Sequence, residues 1–537
     1  MDQQELEALV AAARQGQSVL ARLPQLLASV RALLDEIEAA GRGEAAQAAQ
    51  AAPQQRLLLA FRAARNAAAT GGPPAVEALL REGLLDAVRS TLALVSDATI
   101  ALDWQLPAAV AQALANLCTA RGEGAAAAWG ALFPLQLTML AHVNTGATQA
   151  ATCLALLACC RAVDGAAADL AGPAGSQAMA ALLCNHHRQL QQGEHNDNLC
   201  LLASHLAFRH DLLPALFDSL GGGGSSEDQQ PGSTLALGGS AAQPTMAQVA
   251  LLEALCAEAH DMPQLEQPAA AAAGEAPQTA QAGPATQFLV QLAQRLAASS
   301  KAAPLSAGQQ QALQACLHLQ RDLCARDDSG AGLSGGDNLV GQLQAAGFLP
   351  SLLAMLKALE PVQNPQRAAA AAAAAAAPAA GPSGLGSGAE ASDSGMPMAQ
   401  LAPQLAARAA AFPAAAPYSG FRSDLLSVVA NAAHGRPSVQ AEVQELGGVE
   451  LVLAQCQLDR NSPLAREWAL WAVRNLCEGN PAAQEAIREL QLCTTVDNEE
   501  LQRLGVKLEL DERSGKLRVT KREGKGSAAN PLRKDGS

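Results

Sequence analysis

The stretch SPLAREWALWAVRNLCEGN, residues 462–480, decides the fold of this chain. Ser462 is a residue type favoured at helix N-caps, and Pro463 suits the first helical position because it has no N–H to leave unpaired. Gly479 suits the left-handed conformation that ends a helix. The stretch therefore predicts one complete amphipathic helix. Its apolar residues recur at helical spacing, and the predicted buried stripe is Ala469, Leu470, Val473, Leu476 and Cys477.

A second face of this helix carries Glu467, Trp471, Asn475 and Glu478. An amide supplies both a donor and an acceptor, and an indole can wall off a side-chain pocket. The pair therefore predicts a site for an extended peptide. The alternative is that Trp471 packs between repeats while Asn475 bonds its own scaffold. Arg474 is a further candidate contact for a partner, or else an intrahelical pair with Glu478.

Composition favours helices. Of the 537 residues 49% are hydrophobic but only 2% are aromatic, and alanine and leucine dominate the apolar fraction. Leucine and alanine form helices well, whereas strands prefer β-branched and aromatic residues. The predicted fold class is all-α.

The net charge of −14 argues against a nucleic-acid partner for the whole chain. A basic cluster near the C-terminus is expected to be a solvated tail; it consists of Arg513, Lys516, Arg518, Lys521, Arg522 and Lys525.

The cysteines indicate a reducing compartment. The chain has 12 cysteines without a C-x-x-C pair, mostly inside apolar helical stretches, as expected of reduced core residues in a cytoplasmic protein. The acidic, amphipathic start MDQQELEALV is unlike a secretory signal.

Several histidines and cysteines between 184 and 210 lack a closely spaced cysteine pair, so we expect no metal and no cofactor. They are Cys184, His186, His187, His195, Cys200, His205 and His210.

Within a long uncharged segment, the part Ala125–Val143 has nearly the length of a membrane span. Gly124–Cys160 contains no Asp, Glu, Lys or Arg. Pro134, Gln136 and His142 interrupt it, however, and similar helical units flank it. We therefore expect two buried helices and no membrane partner.

Three low-complexity stretches divide the chain: Gly221–Gln248, Pro263–Thr286 and Pro361–Tyr418, the last with the run Ala368–Ala377. They hold too few large hydrophobic residues to offset the entropy of ordering, so they are expected to be linkers or loops. The predicted division is N-terminal repeats over 1–220, a linker with a short helix over 221–286, middle repeats over 287–360, a linker over 361–418, a C-terminal domain over 419–520 and a basic tail over 521–537.

Helical units recur between these stretches. Gly83, Gly347 and the pair Gly447–Gly448 each stand between two apolar helical segments, where glycine permits a tight turn. Other helices end near an asparagine; these are Asn66, Asn116, Asn431 and Asn475. The last two asparagines are 44 residues apart, within the period of about 40–47 residues of HEAT and armadillo repeats. The prediction is an armadillo/HEAT-like α-solenoid with long disordered insertions.

Two neighbouring stretches resemble a known repeat. ELGGVELVLAQC followed by EWALWAVRNLCEGN resembles an armadillo repeat, in which a first helix ends in Gly-Gly and a third carries W-A-x-x-N-L. The wider segment Phe421–Leu490, with FRSDLLSVVAN and AAQEAIREL, resembles the C-terminal domain of the ataxin-10 family. The resemblance implies a non-enzymatic, mostly cytoplasmic scaffold associated with cytokinesis and signalling.

The candidate partner-binding residues are Trp471, Arg474, Asn475, Asn431 and Glu467. Trp471 and Asn475 have the W-x-x-x-N spacing with which armadillo repeats of import receptors hold extended peptides. The corresponding positions in the other helices are Arg62, Gln112 and Ser427, so a tryptophan ladder is missing and a general import adaptor is disfavoured. Partners are expected to be proteins on the concave solenoid face, with the oligomeric state open. The alternative function is an armadillo-type cofactor that exchanges nucleotide on a heat-shock chaperone.

The segment GVKLELDERSGKLRVTK alternates apolar and polar residues on both sides of Arg513–Gly515. This pattern predicts a short C-terminal β-hairpin. Its expected task is to cover the last repeat, and strand addition by a partner is the alternative.

Overall fold

The protein is almost entirely helical. The computed structural model describes residues 1–41, 44–96, 103, 105–120, 122–221, 243–259, 281–325, 339–359, 398–489, 506–510 and 517–521. These residues fall into two compact units, Met1–Phe348 and Leu349–Ser537. Within the described ranges, the regular structure is helix apart from one two-stranded sheet. The predicted all-α class is confirmed.

The first unit is a succession of helices. They are α1 (Gln3–Arg14), a 3₁₀ turn (Leu20–Arg22), α2 (Leu23–Ala39), α3 (Glu44–Thr70), α4 (Gly72–Arg81), α5 (Leu84–Ser96), α6 (Gln105–Ala120), α7 (Gly122–Leu132), α8 (Leu135–His142), α9 (Gly146–Ala162), α10 (Ala166–Ala171), α11 (Ser176–Leu190), α12 (Asp197–Ser204), a π-helical turn (His205–Arg209), α13 (Leu213–Leu220), α14 (Met246–Ala259), α15 (Pro284–Ser299), α16 (Ala307–Ala325) and α17 (Leu339–Ala345).

These helices stack in two rows. One row runs α1, α3, α6, α9, α12, α14, α16, and each helix packs on the next. The other row runs α2, α5, α8, α11, α13, α15, α17 in the same manner. Every helix therefore buries its apolar face against units close to it in sequence, which is how stacked repeats form a continuous core. The first unit is an α-solenoid, as predicted.

Small side chains fill much of the contact between α3 and α6. Leu57 and Phe61 on α3 and Val110 on α6 are fully buried. Buried alanines surround them; these are Ala60, Ala63, Ala64, Ala67, Ala109, Ala111, Ala113 and Ala115. Because alanine projects little, helices lined with it can approach closely. The alanine-rich composition is therefore used in the core.

Described cysteines also belong to the core, as predicted. Seven of the eleven are buried, and none of the eleven is joined in a disulfide. Burial raises the pKa of the Cys160 and Cys316 thiols to about 12, so they stay protonated at neutral pH.

The second unit contains an armadillo-like repeat. Its helices are α18 (Phe348–Ala358, apart from its first residue), α19 (Met398–Ala409), α20 (Phe421–Ala433), α21 (Pro437–Glu445), α22 (Gly448–Leu453), α23 (Ala465–Cys477) and α24 (Pro481–Glu489). Helix α20 packs on α23, and α22 packs on both α23 and α24. Helices α21, α22 and α23 thus form one three-helix repeat stacked on α20.

Glycines make the predicted turns. Gly447, before α22, has φ +69°, a left-handed conformation that disfavours side chains. Gly448 is required for a different reason. A Cβ there would lie 2.7 Å from Cγ1 of Val443 and 2.8 Å from its carbonyl oxygen. Gly83, Gly347 and Gly479 also have positive φ, so the predicted turn positions are confirmed.

A buried ion pair connects the start of α20 to the loop before α23. Nε of Arg422, at the start of α20, lies 2.9 Å from a carboxylate oxygen of Asp459, and both side chains are largely buried. The same guanidinium also donates to the side-chain carbonyl of Gln455. Nearby, the backbone N–H of Gly420 donates to the carbonyl of Asn461 at 2.8 Å. These bonds tie the loop before α23 to the first turn of α20.

The C-terminal hairpin is confirmed. Strands β1 (Val506–Leu510) and β2 (Leu517–Lys521) pair antiparallel, with Leu508 opposite Val519. The turn residues 511–516 and the rest of the basic tail lie outside the described residues. The role of the hairpin as a cover for the last repeat stays a prediction.

Two expectations about segment boundaries are wrong. Helix α23 begins at Ala465, and Ser462 does not cap it. Ser462 is buried and its carbonyl accepts from the N–H of Ala465 at 2.9 Å, so residues 462–464 form a turn that precedes the helix. The second is the expected linker 361–418, within which α19 forms; the short helix expected within 221–286 is α14, which begins at Met246, and α15 begins at Pro284. The alanine run 368–377 lies outside the described residues.

No single helix in the described ranges is long and apolar enough to cross a membrane. Two bent pairs have the required length and composition, namely α7 with α8 and α17 with α18. The first pair, which covers the uncharged segment noted above only as far as His142, is bent by 92°.

Replacing Arg422 by alanine is expected to destabilise the region around α20 and α23 by about 3–5 kcal/mol, since it leaves the buried Asp459 carboxylate without its partner. Hydrogen exchange of the full chain, read in peptides from α20 and α23, measures the local free energy of opening. Arg488→Ala breaks an exposed pair with Glu485 and serves as the control, with a change within about 0.5 kcal/mol. Equal protection in both variants would contradict the role of the buried pair.

Candidate partner-binding face on the last repeat

Helix α23 displays an indole and a guanidinium together. Trp471 is 52% exposed, and the guanidinium carbon of Arg474 lies 5.0 Å from the centre of its ring. This is the geometry of a cation–π contact. Arg474 therefore stacks on Trp471 in preference to pairing with Glu478, the alternative that the sequence suggested. The two side chains form a fixed amphipathic surface on the helix.

Leucines enlarge this surface. Leu470 is 55% exposed and Leu464, just before the helix, is 59% exposed. The prediction that Leu470 belongs to the buried stripe is wrong. Aligned through the asparagines, Leu470 corresponds to Leu426 of α20, which is fully buried. We call Leu464, Leu470, Trp471 and Arg474 the terminal face.

The position of α20 explains the exposure of the terminal face. Ala430, one turn after Leu426 on α20, receives a hydrogen bond from Asn475 of α23. The Leu426–Ala430 surface of α20 therefore faces the next repeat. The matching surface of α23 runs from Leu470 to Arg474, and in the described part of the chain no further repeat follows to cover it. The terminal face is thus the surface to which an additional repeat would attach.

Asn475 itself is part of the scaffold. It is only 6% exposed, and its Nδ2 donates to the backbone carbonyl of Ala430 at 2.9 Å. Gln440 of α21 adds to this junction, because its Nε2 donates to the carbonyls of Asn475, at 2.8 Å, and Glu478, at 3.1 Å. The geometry matches the alternative in which Asn475 bonds its own scaffold. A partner-binding role for this residue stays a prediction.

The same bond recurs in the first unit. Nδ2 of Asn116 on α6 donates to the carbonyl of Arg65 on α3 at 3.0 Å. Nδ2 of Asn66 on α3 donates to the carbonyl of Val10 on α1 at 3.3 Å. Arg65 directly precedes Asn66, just as Ala430 directly precedes Asn431. Three of the four asparagines noticed in the sequence, Asn66, Asn116 and Asn475, therefore mark a repeated bond from one helix to the backbone of an earlier helix in the stack.

The other two candidates differ in their surroundings. Asn431 is half-buried in α20, and its carbonyl accepts from the guanidinium of Arg436 at 2.9 Å. Glu467 pairs with Arg466 at 3.0 Å, and hydrogen bonds from its own backbone N–H and from Arg466 lower the pKa of its carboxyl. The binding roles of Asn431 and Glu467 also stay predictions.

In the first unit the position equivalent to Trp471 borders a cavity. The residue at this position is Arg62, which donates to Oε1 of Gln105 at 2.6 Å. The cavity has a volume of about 490 Å³ and is lined by Glu7, Ala51, Gln54, Gln55, Leu58, Leu59, Arg62, Asp103 and Gln105. Burial and the neighbouring Arg62 and Arg14 lower the pKa of Arg65 beside it. Its lining mixes one basic and two acidic side chains with amides and leucines.

Sequence reasoning missed one cluster. The cluster consists of His186 on α11, Cys200 on α12 and His195 in the connection between the two helices. Each residue contributes one nitrogen or sulfur atom, and these three atoms lie within 4.8 Å of one another. Burial and, to a smaller extent, the nearby His195 lower the pKa of His186 to about 4. His186 is buried and has a ring nitrogen without a hydrogen-bond partner among the described residues.

Comparison with known proteins assigns the region around the terminal face. Residues 421–520 match the family described as the spinocerebellar ataxia type 10 protein domain. The ataxin-10 homolog of Dictyostelium discoideum is 37% identical over 17% of this chain and 15% of its own length. Ataxin-10 of Xenopus tropicalis is 35% identical over 18% of this chain and 20% of its own. Human ataxin-10 is 30% identical over 17% of this chain and 19% of its own.

These matches cover about a fifth of each curated relative or less. An engineered protein of known structure aligns with 86% of this chain at 16% identity, but its TM-score of 0.26 is too low to bear on the fold.

Asn475→Ala is expected to destabilise the second unit by about 1–3 kcal/mol, because the buried carbonyl of Ala430 loses its donor. Trp471→Ala removes a half-exposed side chain and should change stability by only about 0.5 kcal/mol. Hydrogen exchange in α20 and α23 of the full chain measures both effects. The assignment of Asn475 to the scaffold fails if the two variants lose equal protection.

The pair His205 and His210 makes a pH dependence measurable. Their Nε2 atoms lie 3.2 Å apart, and burial, with His210, Arg161 and Arg209 nearby, lowers the pKa of His205 from 6.5 to about 4. Between these values the unfolded chain binds more protons than the folded chain. The contribution of His205 to stability is therefore complete above pH 6.5 and is lost as the pH falls towards 4.

His205→Gln should make the fall in stability of the first unit below pH 6.5 shallower, as measured by thermal unfolding at a series of pH values. His142→Gln, at an exposed position, is the control and should leave the slope unchanged. A slope that is identical in wild type and His205→Gln would contradict the assignment.

Proposed function

We propose that this chain, whose C-terminal region carries the ataxin-10 family domain, is a non-enzymatic scaffold that binds other proteins. The terminal face is the observation that carries the proposal. It combines exposed leucines, an indole and an arginine on one rigid helix. Tryptophan and arginine are the residues most enriched among those that dominate binding energy at protein interfaces.

The rigidity of the support favours this role. The helix that presents Trp471 is anchored to α20 by the Asn475 bond and to α21 by Gln440. A side chain held on a packed helix loses less conformational freedom on binding than one on a mobile loop. A partner can therefore bury the indole at a low entropic cost.

The stacked arginine adds specificity. Its charge lies at the edge of an apolar surface, so a partner that covers Trp471 must offer an acceptor or an acidic group to Arg474. We propose a partner segment with a hydrophobic anchor and a nearby carboxylate.

The cellular setting follows from the family resemblance. We propose that the chain acts in the cytoplasm, in processes of the kind associated with ataxin-10, namely cytokinesis and signalling through partner proteins. The bond network supports a scaffold, since Arg422, Gln440 and Asn475 hold α20–α23 together.

Trp471→Ala in the full chain should weaken binding of the principal partner by about 2 kcal/mol, or about 30-fold in Kd, as for an interface hot spot. The partner is first identified by quantitative mass spectrometry of affinity-purified complexes and is then titrated in purified form by calorimetry. Leu135→Ala removes an equally exposed apolar side chain from the first unit and is the matched control. Unchanged affinity in a folded Trp471→Ala variant would refute the proposal.

A further inference from the structure

The cluster of His186, His195 and Cys200 lies where two packed helices meet. His186 is in the last turns of α11, Cys200 is in the middle of α12, and His195 is in the short connection between them. Gly193 in this connection has φ +78°, and the carbonyl of Gln189 accepts from the N–H of Glu194 at 3.0 Å. The turn therefore folds His195 back over the end of α11.

Distances within the cluster match those around a tetrahedral metal. The Sγ atom of Cys200 lies 3.8 Å from Nε2 of His186. With zinc bonds of about 2.3 Å to sulfur and 2.0–2.1 Å to nitrogen, tetrahedral angles place the two ligand atoms about 3.6 Å apart. The centres of the two imidazole rings are 5.3 Å apart. Two histidines on one tetrahedral zinc have ring centres about 5 Å apart by the same geometry.

Burial gives a second, independent indication. Cys200 is fully buried, His186 is 1% exposed, and Nδ1 of His186 has no hydrogen-bond partner among the described residues. A buried polar atom without a partner costs about 1–3 kcal/mol. The other ring nitrogen, Nε2, faces Cys200 and is therefore the atom available for coordination.

An exposed carboxylate lies next to one member of the cluster, His195, and outside the group of three whose ligand atoms lie within 4.8 Å of one another. A carboxylate oxygen of Asp197, in the first turn of α12, lies 4.0 Å from Nε2 of His195. Two neutral imidazoles, one thiolate and one carboxylate carry two negative charges, which balance a divalent cation. Nitrogen and sulfur donors in tetrahedral arrangement favour zinc over magnesium or calcium.

We propose that His186, His195 and Cys200, with Asp197 as the fourth ligand, form a structural zinc site that ties α11 to α12. Binding replaces the S–H proton of Cys200, which leaves to solvent, by a zinc–sulfur bond. Because the site draws on two helices and their connection, it forms only in the folded chain. Zinc therefore stabilises the folded state of the first unit.

Cobalt(II) titration of the full chain, after removal of bound metal with a chelator, tests the site. One equivalent should produce a thiolate-to-cobalt charge-transfer band in the near ultraviolet and the intense visible bands of tetrahedral cobalt. One equivalent of zinc should displace the cobalt and raise the Tm. His195→Gln, at a partly exposed position, should weaken cobalt binding by about tenfold or more. Cys200→Ser should abolish the charge-transfer band.

Two variants serve as controls for adventitious binding. His142→Gln and Cys184→Ser change an exposed histidine and a half-buried cysteine outside the cluster, and both should keep the bands and the affinity. His195→Gln decides the outcome if Cys200→Ser fails to fold. The proposal is overturned if wild type shows no charge-transfer band, or if His195→Gln binds cobalt as tightly as wild type.

Discussion

Each repeat of this protein depends on its neighbour to cover an apolar face, and a side-chain amide fixes how the two fit together. Asn66, Asn116 and Asn475 each donate from one helix to a backbone carbonyl of an earlier helix in the stack. The acceptor carbonyls already belong to helices, so the bond joins two regular elements without interrupting either. Apolar contact alone would allow one helix to slide along the next by a turn. A directional bond between a fixed side chain and a fixed carbonyl sets the register.

The sequence predicted much of this because its signals are local. Glycine at 447 and 479 implies positive φ irrespective of the rest of the chain, and both turns occur as predicted. The hairpin was also predictable, since alternation on both sides of a turn needs no distant partner. Helical periodicity located α20 and α23 for the same reason. The fold class and the main helices of the C-terminal repeat were therefore predictable from a single sequence.

Features that depend on distant contacts were not predictable. Leu470 has the helical phase of a buried residue, but its exposure depends on whether another repeat follows, which periodicity does not report. Ser462 has the right type for a cap, but it is buried and precedes a turn. His186, His195 and Cys200 have no familiar spacing, and they come together only because the turn at Gly193 folds the connection back. For the candidate binding face, the sequence named Trp471 and Arg474, but it placed the exposed Leu470 in the core and left open whether Asn475 is structural.

The alanine-lined contacts determine how this protein tolerates substitution. In the second unit α20 meets α23 through fully or almost fully buried alanines, among them Ala430, Ala433, Ala469 and Ala472. Such a contact has few methylene groups to lose, so truncating substitutions have little effect there. Adding even two methyl groups forces helix backbones apart, at a cost of about 1–3 kcal/mol, and also stretches the asparagine bond across the gap. Natural variation at these positions is therefore constrained by an upper limit on side-chain volume, and an alanine-to-valine change is more disruptive than its conservative chemistry implies.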